Sequence, residues 1–354
     1  MSANIKKLRK AIDAIDKNIL LLLSKRAHIS LDIGKVKLDK GAGVYSADRE
    51  KQILSRLSNL NKGPLSQEAI EAIYREIMSS MLALEKSVKI AYLGPEASFT
   101  HLAAIKKFGS QIDFVAAESI SDVFALVDKD EADYGVVPIE NSIEGAVSHT
   151  LDMLTETDLK ICSQIILEVS HNLLSRNPGL KIRRVYSNPQ VFGQCRIWLQ
   201  KNLPNVELIE VSSTSRAAQI VSKEKNSACI ASALAAKIYN LKVIQKSIED
   251  SPHNITRFLV IAKHDVGPTG SDKTSLVFSI QDRVGALCDM LVPFKKYKIN
   301  LTKIESRPSK KKAWDYYFFL DLQGHCLNSN VKKALEDLSK KCKFLKILGS
   351  YPCY

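Results

Sequence analysis

The first forty residues carry an apolar pattern that restricts the fold more than any other feature of the chain. Apolar side chains recur every three or four positions, at Ile5, Leu8, Ile12, Ile15, Ile19 and Leu22. No proline occurs before Pro64. This spacing predicts one helix over about residues 5–38, roughly 50 Å long. Because such a helix outruns any core that its own segment can build, we expect its apolar stripe to pack against a second chain.

Two shorter helical patterns follow, separated by a Gly-Pro break at residues 63–64. Four charged side chains occupy positions where an apolar residue is expected: Arg26 and Lys37 on the long first helix, and Glu50 and Glu85 on the two shorter ones. Arg26 and Lys37 are three helical turns apart and therefore point the same way. Burying such charges requires opposite charges nearby. Two explanations fit: an ion-pair network that fixes the bundle register, or a pocket for a dianionic ligand.

The pattern changes at about residue 88. Short segments rich in β-branched residues alternate with helical stretches up to about residue 264, which predicts an α/β domain. A polar linker with glycine and proline follows, and residues 273–354 then read βαββαβ. The expected fold class is therefore an all-α bundle over residues 1–88, an α/β domain over 89–264 and a small α+β domain over 273–354.

Composition narrows the possible partners. The 354 residues include 51 Lys and Arg against 38 Asp and Glu, a net charge of +13. The basic residues are spread along the chain, and their densest runs lack interleaved aromatics, which is typical of a solvated surface. A chain that binds small anions is also rich in Lys and Arg, so charge alone does not decide between nucleic acid and small anions. From the motifs below we expect small anionic ligands and no nucleic acid. No apolar run is long enough for a membrane span, and no signal sequence is evident. Seven scattered cysteines indicate a reducing compartment, and we expect a cytoplasmic protein.

The motifs of the helical segment, LRKAIDAIDKNILLLLSKR, GKVK, DREKQIL and IYREIMSSMLALEK, resemble the all-helical chorismate mutases. The resemblance implies two intertwined chains with two pockets. Arg26 would bind a carboxylate of chorismate, Arg9 a carboxylate in the partner's pocket, and Lys37 the ether oxygen. It also implies pocket positions for Ser46, Arg49, Glu50, Met81 and Glu85. The rearrangement needs a compact substrate conformer and charge stabilisation, but no nucleophile or base.

Three of these positions depart from the usual pattern of that family. Ser46 stands where Asp is frequent, Met81 where Ser or Ala is common, and Glu85 where some members have Gln. A glutamate donates to the ether oxygen only when it is protonated, and nearby cations favour the ionised form. We therefore predict that mutase activity falls as pH rises. The same departures leave an alternative open, in which the helical segment is an impaired mutase and serves as a dimerisation clamp.

Polar clusters mark the expected strand ends of the α/β segment: GPEASFTHLAA, VVPIENSIEGAV, YSNPQVFGQC, SSTSRAA and NITRF. We predict a strand that ends at Pro138 and exposes residues 140–142. Thr256 and Arg257 are predicted to lie just before an apolar strand. Ligands of α/β sheets bind at such ends, although helix capping alone explains any single Ser or Thr.

Together these five motifs resemble prephenate dehydratases, which have two α/β lobes, like a periplasmic binding protein, around a cleft. The resemblance implies that Thr256 is the general acid and that Arg257 binds or orients beside it. It implies a lining of Ser98, Thr100, Glu140, Asn141, Ser142, Ser187, Gln194, Ser213 and Thr214. Asn188 replaces a histidine usual in the family. Prephenate loses CO2 and water as its ring becomes aromatic, and the resemblance implies neither a metal nor an organic cofactor.

The last segment is, on pattern alone, a small module that most often serves dimerisation. Its residues resemble ACT regulatory domains, in which GAL and ESRP motifs bind phenylalanine between two chains. These motifs correspond to Gly285, Ala286 and Leu287, and to Glu305, Ser306, Arg307 and Pro308. The three resemblances together imply conversion of chorismate through prephenate to phenylpyruvate, feedback inhibition by phenylalanine, and a homodimer or tetramer. A non-catalytic amino-acid sensor is the remaining alternative.

Overall fold

The computed structural model describes residues 2–39, 45–281, 283–309 and 316–353. The chain forms two compact units, one of residues Met1–Lys89 with Phe108–Asp113 and one of Ile90–Lys107 with Phe114–Tyr354. No helix within the described ranges is long and apolar enough to cross a membrane. Part of the loop predicted after the first helix, residues 40–44, lies outside the described residues.

Three helices build the first unit: α1 (Ser2–Asp39), α2 (Ala47–Leu60) and α3 (Gln67–Glu85). The predicted long first helix is confirmed. Ser46 and Ser66 cap α2 and α3 by accepting backbone hydrogen bonds. Within one chain the apolar stripe of α1 stays open to solvent, since Ile12 is 56% and Leu22 is 63% exposed. An exposed apolar stripe of this length is typical of an interface.

The second unit begins with two α/β lobes, in agreement with the expected architecture. The first lobe contains β1 (Lys89–Leu93), α4 (Phe99–Phe108), β2 (Asp113–Ala117), α5 (Ile120–Asp128), β3 (Tyr134–Asn141), β4 (Gly145–Ala146), α6 (Ser148–Glu156), β5 (Lys160–Glu168) and β11 (Ile255–Ala262). Its strand order is β2-β1-β3-β11-β5, with β4 paired to β3. The chain leaves this lobe after β5 and returns to it at β11, so the lobes are joined by two crossings.

The second lobe contains β6 (Asn172–Ser175), β7 (Arg184–Ser187), α7 (Pro189–Gln194), α8 (Arg196–Asn202), β8 (Glu207–Glu210), α9 (Thr214–Val221), β9 (Ser227–Ala231), α10 (Ala233–Ile238) and β10 (Lys242–Gln245). Its strand order is β10-β6-β9-β7-β8. Two sequence predictions for the first lobe are wrong. β3 continues through Asn141 instead of ending at Pro138, and Thr256 and Arg257 lie inside β11 instead of before it.

The last part of the second unit has the predicted βαββαβ order: β12 (Asp272–Ser279), α11 (Ala286–Lys296), β13 (Leu301–Pro308), β14 (Tyr316–Gln323), α12 (Ser329–Ser339) and β15 (Phe344–Pro352). The antiparallel sheet has the order β13-β14-β12-β15. One face packs on α11 and α12. The other shares a buried cluster with β11 of the first lobe, in which Phe319 and Leu348 pack with Leu259 and Ile261. At Gly349 a Cβ would overlap the Ile161 backbone, so only glycine permits this close approach.

Candidate active sites

Three charged side chains of the helical unit converge between α1 and α3. Lys37 Nζ lies 3.8 Å from Glu85 Oε2, and the Glu85 side chain is only 8% exposed. The NH1 of Arg26 is buried without a hydrogen-bond partner among the described residues. A buried donor left open in this way is suited to an anionic ligand. The structure thus brings together Arg26, Lys37 and Glu85, as the sequence predicts.

Burial governs the charges of this cluster. It raises the pKa of Glu85 above its ordinary value, although Lys37 and Arg26 both oppose the shift. It lowers the pKa of Arg26, to which the neighbouring Arg49 also contributes, while Tyr74 and Glu85 oppose the change. The cations do favour the ionised form, as expected, but desolvation of the carboxylate has the larger effect on the pKa of Glu85. A raised pKa extends to higher pH the range in which this carboxyl is protonated and can donate a hydrogen bond.

Gly34, a glycine not predicted as a site residue, leaves room for the Glu85 side chain. Gly34 faces α3, and a Cβ at that position would lie 3.1 Å from both Cβ and Cγ of Glu85. Glycine inside a helix ordinarily costs stability, so its presence here indicates a steric need. A glycine inside an otherwise regular helical pattern is the signal that would have identified it.

The other predicted mutase residues have different settings. Ser46 accepts from the Arg49 backbone at 3.3 Å and donates to Asp48 at 2.5 Å, so it is the N-cap of α2. Glu50 is buried and accepts from the Tyr45 hydroxyl at 2.5 Å. Tyr45 was not identified from the sequence.

Two further predicted mutase positions differ in exposure. Met81 is buried on α3. Arg9 is exposed and lies on the same helix as Arg26, about 26 Å away along its axis. The two arginines cannot therefore serve one pocket within one chain.

In the α/β lobes, Thr256 and Asn141 form a cross-strand pair between β11 and β3. Asn141 Nδ2 donates to Thr256 Oγ1 at 2.8 Å and to Asn254 Oδ1 at 2.8 Å. Asn141 Oδ1 accepts from the backbone N–H groups of Ile143 and Glu144. Since every polar atom of this amide has a partner, its orientation is fixed. Thr256 Oγ1 accepts from Asn141, so its own proton is directed away from that bond and can be donated to a ligand.

Gln194 connects this pair to the second lobe. Its Oε1 accepts from Asn254 Nδ2 at 3.0 Å and from His171 Nε2 at 2.8 Å, and its Nε2 donates to Glu144 at 3.3 Å. Burial lowers the pKa of His171, which is 2% exposed, and favours the neutral ring. The sequence predicted Gln194 but missed Asn254, His171 and Glu144. Glu144 lies within the motif VVPIENSIEGAV and Asn254 begins the motif NITRF. These two motifs come together only through the pairing of β3 with β11.

Arg257 and Glu140 do not line this site. Consecutive strand residues point to opposite faces of a sheet, so both lie behind the Thr256–Asn141 pair. Arg257 NH1 is 2.6 Å from Asp321 and 3.7 Å from Glu140, and Glu140 is 2.8 Å from Lys303. The implied place of Glu140 in the cleft lining is therefore wrong, because its side chain lies on the opposite face of the sheet from Asn141. Of the two roles implied for Arg257, substrate binding does not fit this placement, whereas orienting Thr256 does.

Several predicted serines donate their hydroxyls to backbone carbonyl oxygens. Ser187 is fully buried and donates to Ile230 O at 3.0 Å, so its assignment to the lining is wrong. Ser98 donates to Leu93 O at 2.9 Å, and Ser142 donates to His253 O at 2.9 Å.

Four polar residues stand at helix starts of the two lobes. Ser213 caps α9, and Asn188 caps α7 by accepting from Gln190 N at 3.0 Å. Thr100 and Thr214 are largely buried in the first turns of α4 and α9. Ser213 and Thr214 thus share one helix start, whereas Thr100 belongs to the other lobe.

The sheet that follows the lobes carries a pocket of about 570 Å³ at the start of α11. Its lining includes the predicted Gly285, Ala286 and Leu287. It also includes residues that the sequence did not single out: Ile280, Gln281, Arg283, Cys288, Tyr316 and Phe318. Gly285 has φ +76°, a left-handed conformation that favours glycine. The glycine lets the chain turn into the helix while leaving the pocket open.

The ESRP segment lies on β13, where it alternates between two faces. Ser306 and Pro308 pair with Phe318 and Tyr316, which line the pocket. Arg307 is directed away from it and makes a bidentate ion pair with Asp152 on α6, with both N–O distances 3.0 Å. Glu305 shares the face of Arg307 by strand alternation. Ser306 and Pro308 thus share the face of the pocket, whereas Glu305 and Arg307 lie on the opposite face. Binding of phenylalanine by the ESRP motif between two chains stays a prediction.

Comparisons with known proteins agree with this division of the chain. Three family models match: Chorismate mutase type II over residues 8–86, Prephenate dehydratase over 90–266, and ACT domain over 274–340. A bifunctional chorismate mutase/prephenate dehydratase of Aquifex aeolicus is 49% identical, with 98% of each chain covered. One from Escherichia coli K12 is 32% identical over 98% of this chain and 95% of its own.

Among solved structures, a prephenate dehydratase from Arthrobacter aurescens in complex with L-Phe matches 75% of this chain and 90% of its own. Its TM-score is 0.70 at 31% identity. Family models and full-length relatives thus agree on the family of the chain. The chain belongs to the bifunctional chorismate mutase/prephenate dehydratases, with an ACT domain after its two catalytic domains.

Proposed function

We propose that chorismate rearranges to prephenate at the cluster of Arg26, Lys37 and Glu85. Arg26, with its open buried NH1, would bind a substrate carboxylate. Lys37 and protonated Glu85 would both donate to the ether oxygen as the C–O bond breaks. The carboxylate–ammonium separation of 3.8 Å leaves both groups able to turn toward a ligand. Arg49 and Glu50 would complete the pocket from α2, and Ser46 would fix the start of that helix. Met81 of α3 would form the apolar wall of the pocket.

Arg9 would complete this pocket from a second chain, so we propose a homodimer, or a tetramer built from it. The exposed apolar stripe along α1 supports this arrangement, because about half of each apolar side chain is open to solvent in one chain. The distance of about 26 Å between Arg9 and Arg26 along one helix supports it too.

The second reaction, in our proposal, takes place at Thr256. Its hydroxyl transfers a proton to the departing hydroxyl of prephenate, which leaves as water, and the threonine oxygen regains a proton from solvent. The electrons of the bond to the carboxylate move into the ring, and CO2 departs as the ring becomes aromatic. Asn141 orients the threonine, and Gln194 faces it from the other lobe. Ser213 and Thr214 are the remaining candidates for contacts with substrate carboxylates, together with Thr100.

We further propose that phenylalanine binds the pocket at Gly285 and inhibits the dehydratase. Leu287, Tyr316 and Phe318 offer an apolar wall for an aromatic side chain. Ser306, which pairs with Phe318 on the neighbouring strand, would add a polar rim. A solved prephenate dehydratase in complex with L-Phe supports phenylalanine as the ligand. The proposed functional boundaries are residues 1–88, 89–264 and 273–354, and the proposed location is the cytoplasm.

The Asn141–Thr256 hydrogen bond of 2.8 Å carries the dehydratase assignment. The test supplies purified protein with chorismate or with prephenate, with and without phenylalanine, and follows phenylpyruvate. We expect product from both substrates and less product with phenylalanine. Thr256→Val, which keeps shape but lacks the hydroxyl, should lose about 100-fold or more in dehydratase kcat, whereas Thr256→Ser should keep most of it.

Each other outcome of this test is informative. An active Thr256→Val variant would contradict the assignment. Product from prephenate alone would instead favour a helical segment that serves only as a dimerisation clamp. Product from neither substrate would favour an amino-acid sensor.

A further inference from the structure

The arginine beside Thr256 contacts the ACT sheet. Arg257 NH1 lies 2.6 Å from Asp321 Oδ2, and its NH2 donates to the Tyr351 hydroxyl at 2.8 Å. Ser275 Oγ donates to Asp321 Oδ1 at 2.5 Å and is 2.6 Å from the Tyr351 hydroxyl. Asp321, Ser275 and Tyr351 come from β14, β12 and β15, so three strands of the ACT sheet hold one guanidinium of the dehydratase sheet.

This contact is buried and charged. The Arg257 and Asp321 side chains are 11% and 9% exposed. Burial opposes the Arg257 cation, but Tyr351, Asp321 and Glu140 outweigh it and raise the pKa of Arg257. Removing one partner of such a pair leaves an uncompensated buried charge. The contact therefore constrains both sheets more than a surface ion pair would.

The cluster lies directly behind the candidate catalytic pair. In the register of β11 with β3, Thr256 faces Asn141 and Arg257 faces Glu140. Adjacent residues of each strand point to opposite faces. The same two cross-strand pairs thus present Thr256 and Asn141 to the cleft, and Arg257 and Glu140 to the ACT sheet. A displacement of the β11 backbone at Arg257 also moves its neighbour Thr256.

On the ACT side, β14 joins the cluster to the pocket. Phe318 lines the pocket, and Asp321 lies three residues further along the same strand, about 10 Å away. Because three is odd, the two side chains point to opposite faces. One strand therefore contacts the pocket occupant with one face and Arg257 with the other.

We propose that the buried Arg257–Asp321 ion pair positions Thr256, and that an amino acid bound in the ACT pocket alters dehydration through this pair. Arg257 is then a positioning residue that does not touch substrate. The inference rests on the proposed dehydratase and phenylalanine sites and specifies how they are connected. The ligand acts through the pair if it favours one placement of β14 over another.

A second ion pair between the same two domains supplies a matched control. Arg307 of β13 binds Asp152 of α6 bidentately, with both distances 3.0 Å. Asp152 lies on neither β3 nor β11. If ion pairs merely dock the ACT domain, then loss of either pair has similar effects. If the Arg257–Asp321 pair positions Thr256, then only its loss changes dehydration.

The experiment compares Asp321→Asn with Asp152→Asn in the full chain. It measures prephenate kcat and KM, inhibition by phenylalanine, phenylalanine binding by calorimetry, and mutase activity as a check of folding. For Asp321→Asn we expect kcat to fall at least tenfold with KM within about threefold, since small misplacements of a catalytic group cost up to ~100-fold. Phenylalanine should bind within about threefold of wild type yet inhibit at least tenfold less. Asp152→Asn should change none of these.

Equal effects of the two substitutions, or wild-type kinetics and inhibition in Asp321→Asn, would overturn the inference and leave the proposed function intact. If Asp321→Asn lacks mutase activity and is misfolded, Tyr351→Phe, which removes one hydroxyl, decides the question by the same readouts. Should the wild type respond to no amino acid, the kcat comparison still decides the positioning role. A wild type that does not consume prephenate overturns the proposed function and this inference together.

Discussion

Replacement of Glu85 by glutamine should flatten the pH dependence of the mutase reaction. The Glu85 carboxyl is buried between α1 and α3, and burial raises its pKa against the opposing effect of Lys37 and Arg26. Only the protonated form can donate to the ether oxygen of the substrate. Glutamine has the same shape and donates at every pH.

The size of the effect follows from the geometry. At 3.8 Å, the Lys37–Glu85 attraction is about 4 kcal/mol for an effective dielectric constant of about 20, and it favours the ionised carboxylate. Burial outweighs this attraction, because the pKa of Glu85 is raised above its ordinary value. A dianionic substrate engages the same cations and weakens their hold on Glu85. The pKa of Glu85 should therefore rise further when substrate is bound.

Mutase rates measured across the acidic and neutral range test this reasoning. Above the Glu85 pKa, activity should fall about tenfold per pH unit, because the protonated fraction does. The decline should level off after roughly 100-fold to 1000-fold, the usual loss when one transition-state donor is removed. The decline in kcat, which reports the bound complex, should occur at higher pH than the decline in kcat/KM.

The Glu85→Gln variant is also the control for other titrating groups, whose effects it retains. Dehydratase activity on prephenate, measured in the same samples, controls for general loss of structure. A glutamine variant with the wild-type profile would refute the role of Glu85 protonation. Coincident declines in kcat and kcat/KM would refute the proposed effect of substrate charge on its pKa.

Two further predictions concern the helical unit. Gly34→Ala should lower mutase kcat/KM by about tenfold or more, because an added Cβ lies 3.1 Å from Glu85 and displaces it. Gly34→Ser should be at least as severe. Unchanged steady-state kinetics would contradict the role of Gly34 in placing Glu85. Arg9→Ala and Arg26→Ala should each be inactive as mutases, but chains mixed after partial unfolding should regain up to about a quarter of the activity, since hybrids combine one intact pocket with one doubly altered pocket. A mixture that stays inactive would contradict pockets shared between chains.

The sequence predicts most of the helical unit because its local patterns and its packing agree. The stripe of α1 is regular over its whole length, and the charges that interrupt it, Arg26 and Lys37, do face Glu85. The balance of forces at Glu85 was not predictable, because desolvation depends on packing against Gly34. Spacing indicates which charges meet, but the degree of burial decides which protonation state results.

The dehydratase site shows where motif reasoning fails and why. Thr256, Asn141 and Gln194 were predicted and do come together. The resemblance implies that Arg257 binds or orients beside Thr256, yet its side chain lies on the opposite face of the sheet. The sequence pattern places both residues before the strand, whereas β11 begins at Ile255, and strand geometry then turns the two side chains apart.

The same alternation explains Arg307, which adjoins Ser306 and yet binds Asp152 of the dehydratase domain. In both motifs, one residue faces a candidate ligand site while its neighbour contacts the adjoining domain. A short motif on a strand therefore serves two surfaces at once. In sequence, the neighbouring residues of each motif look like parts of one binding site. On these two strands, one residue faces the candidate ligand site and its neighbour contacts the other domain. The Asp321→Asn and Asp152→Asn comparison separates those two uses, because it breaks each domain contact without altering a residue that faces a pocket.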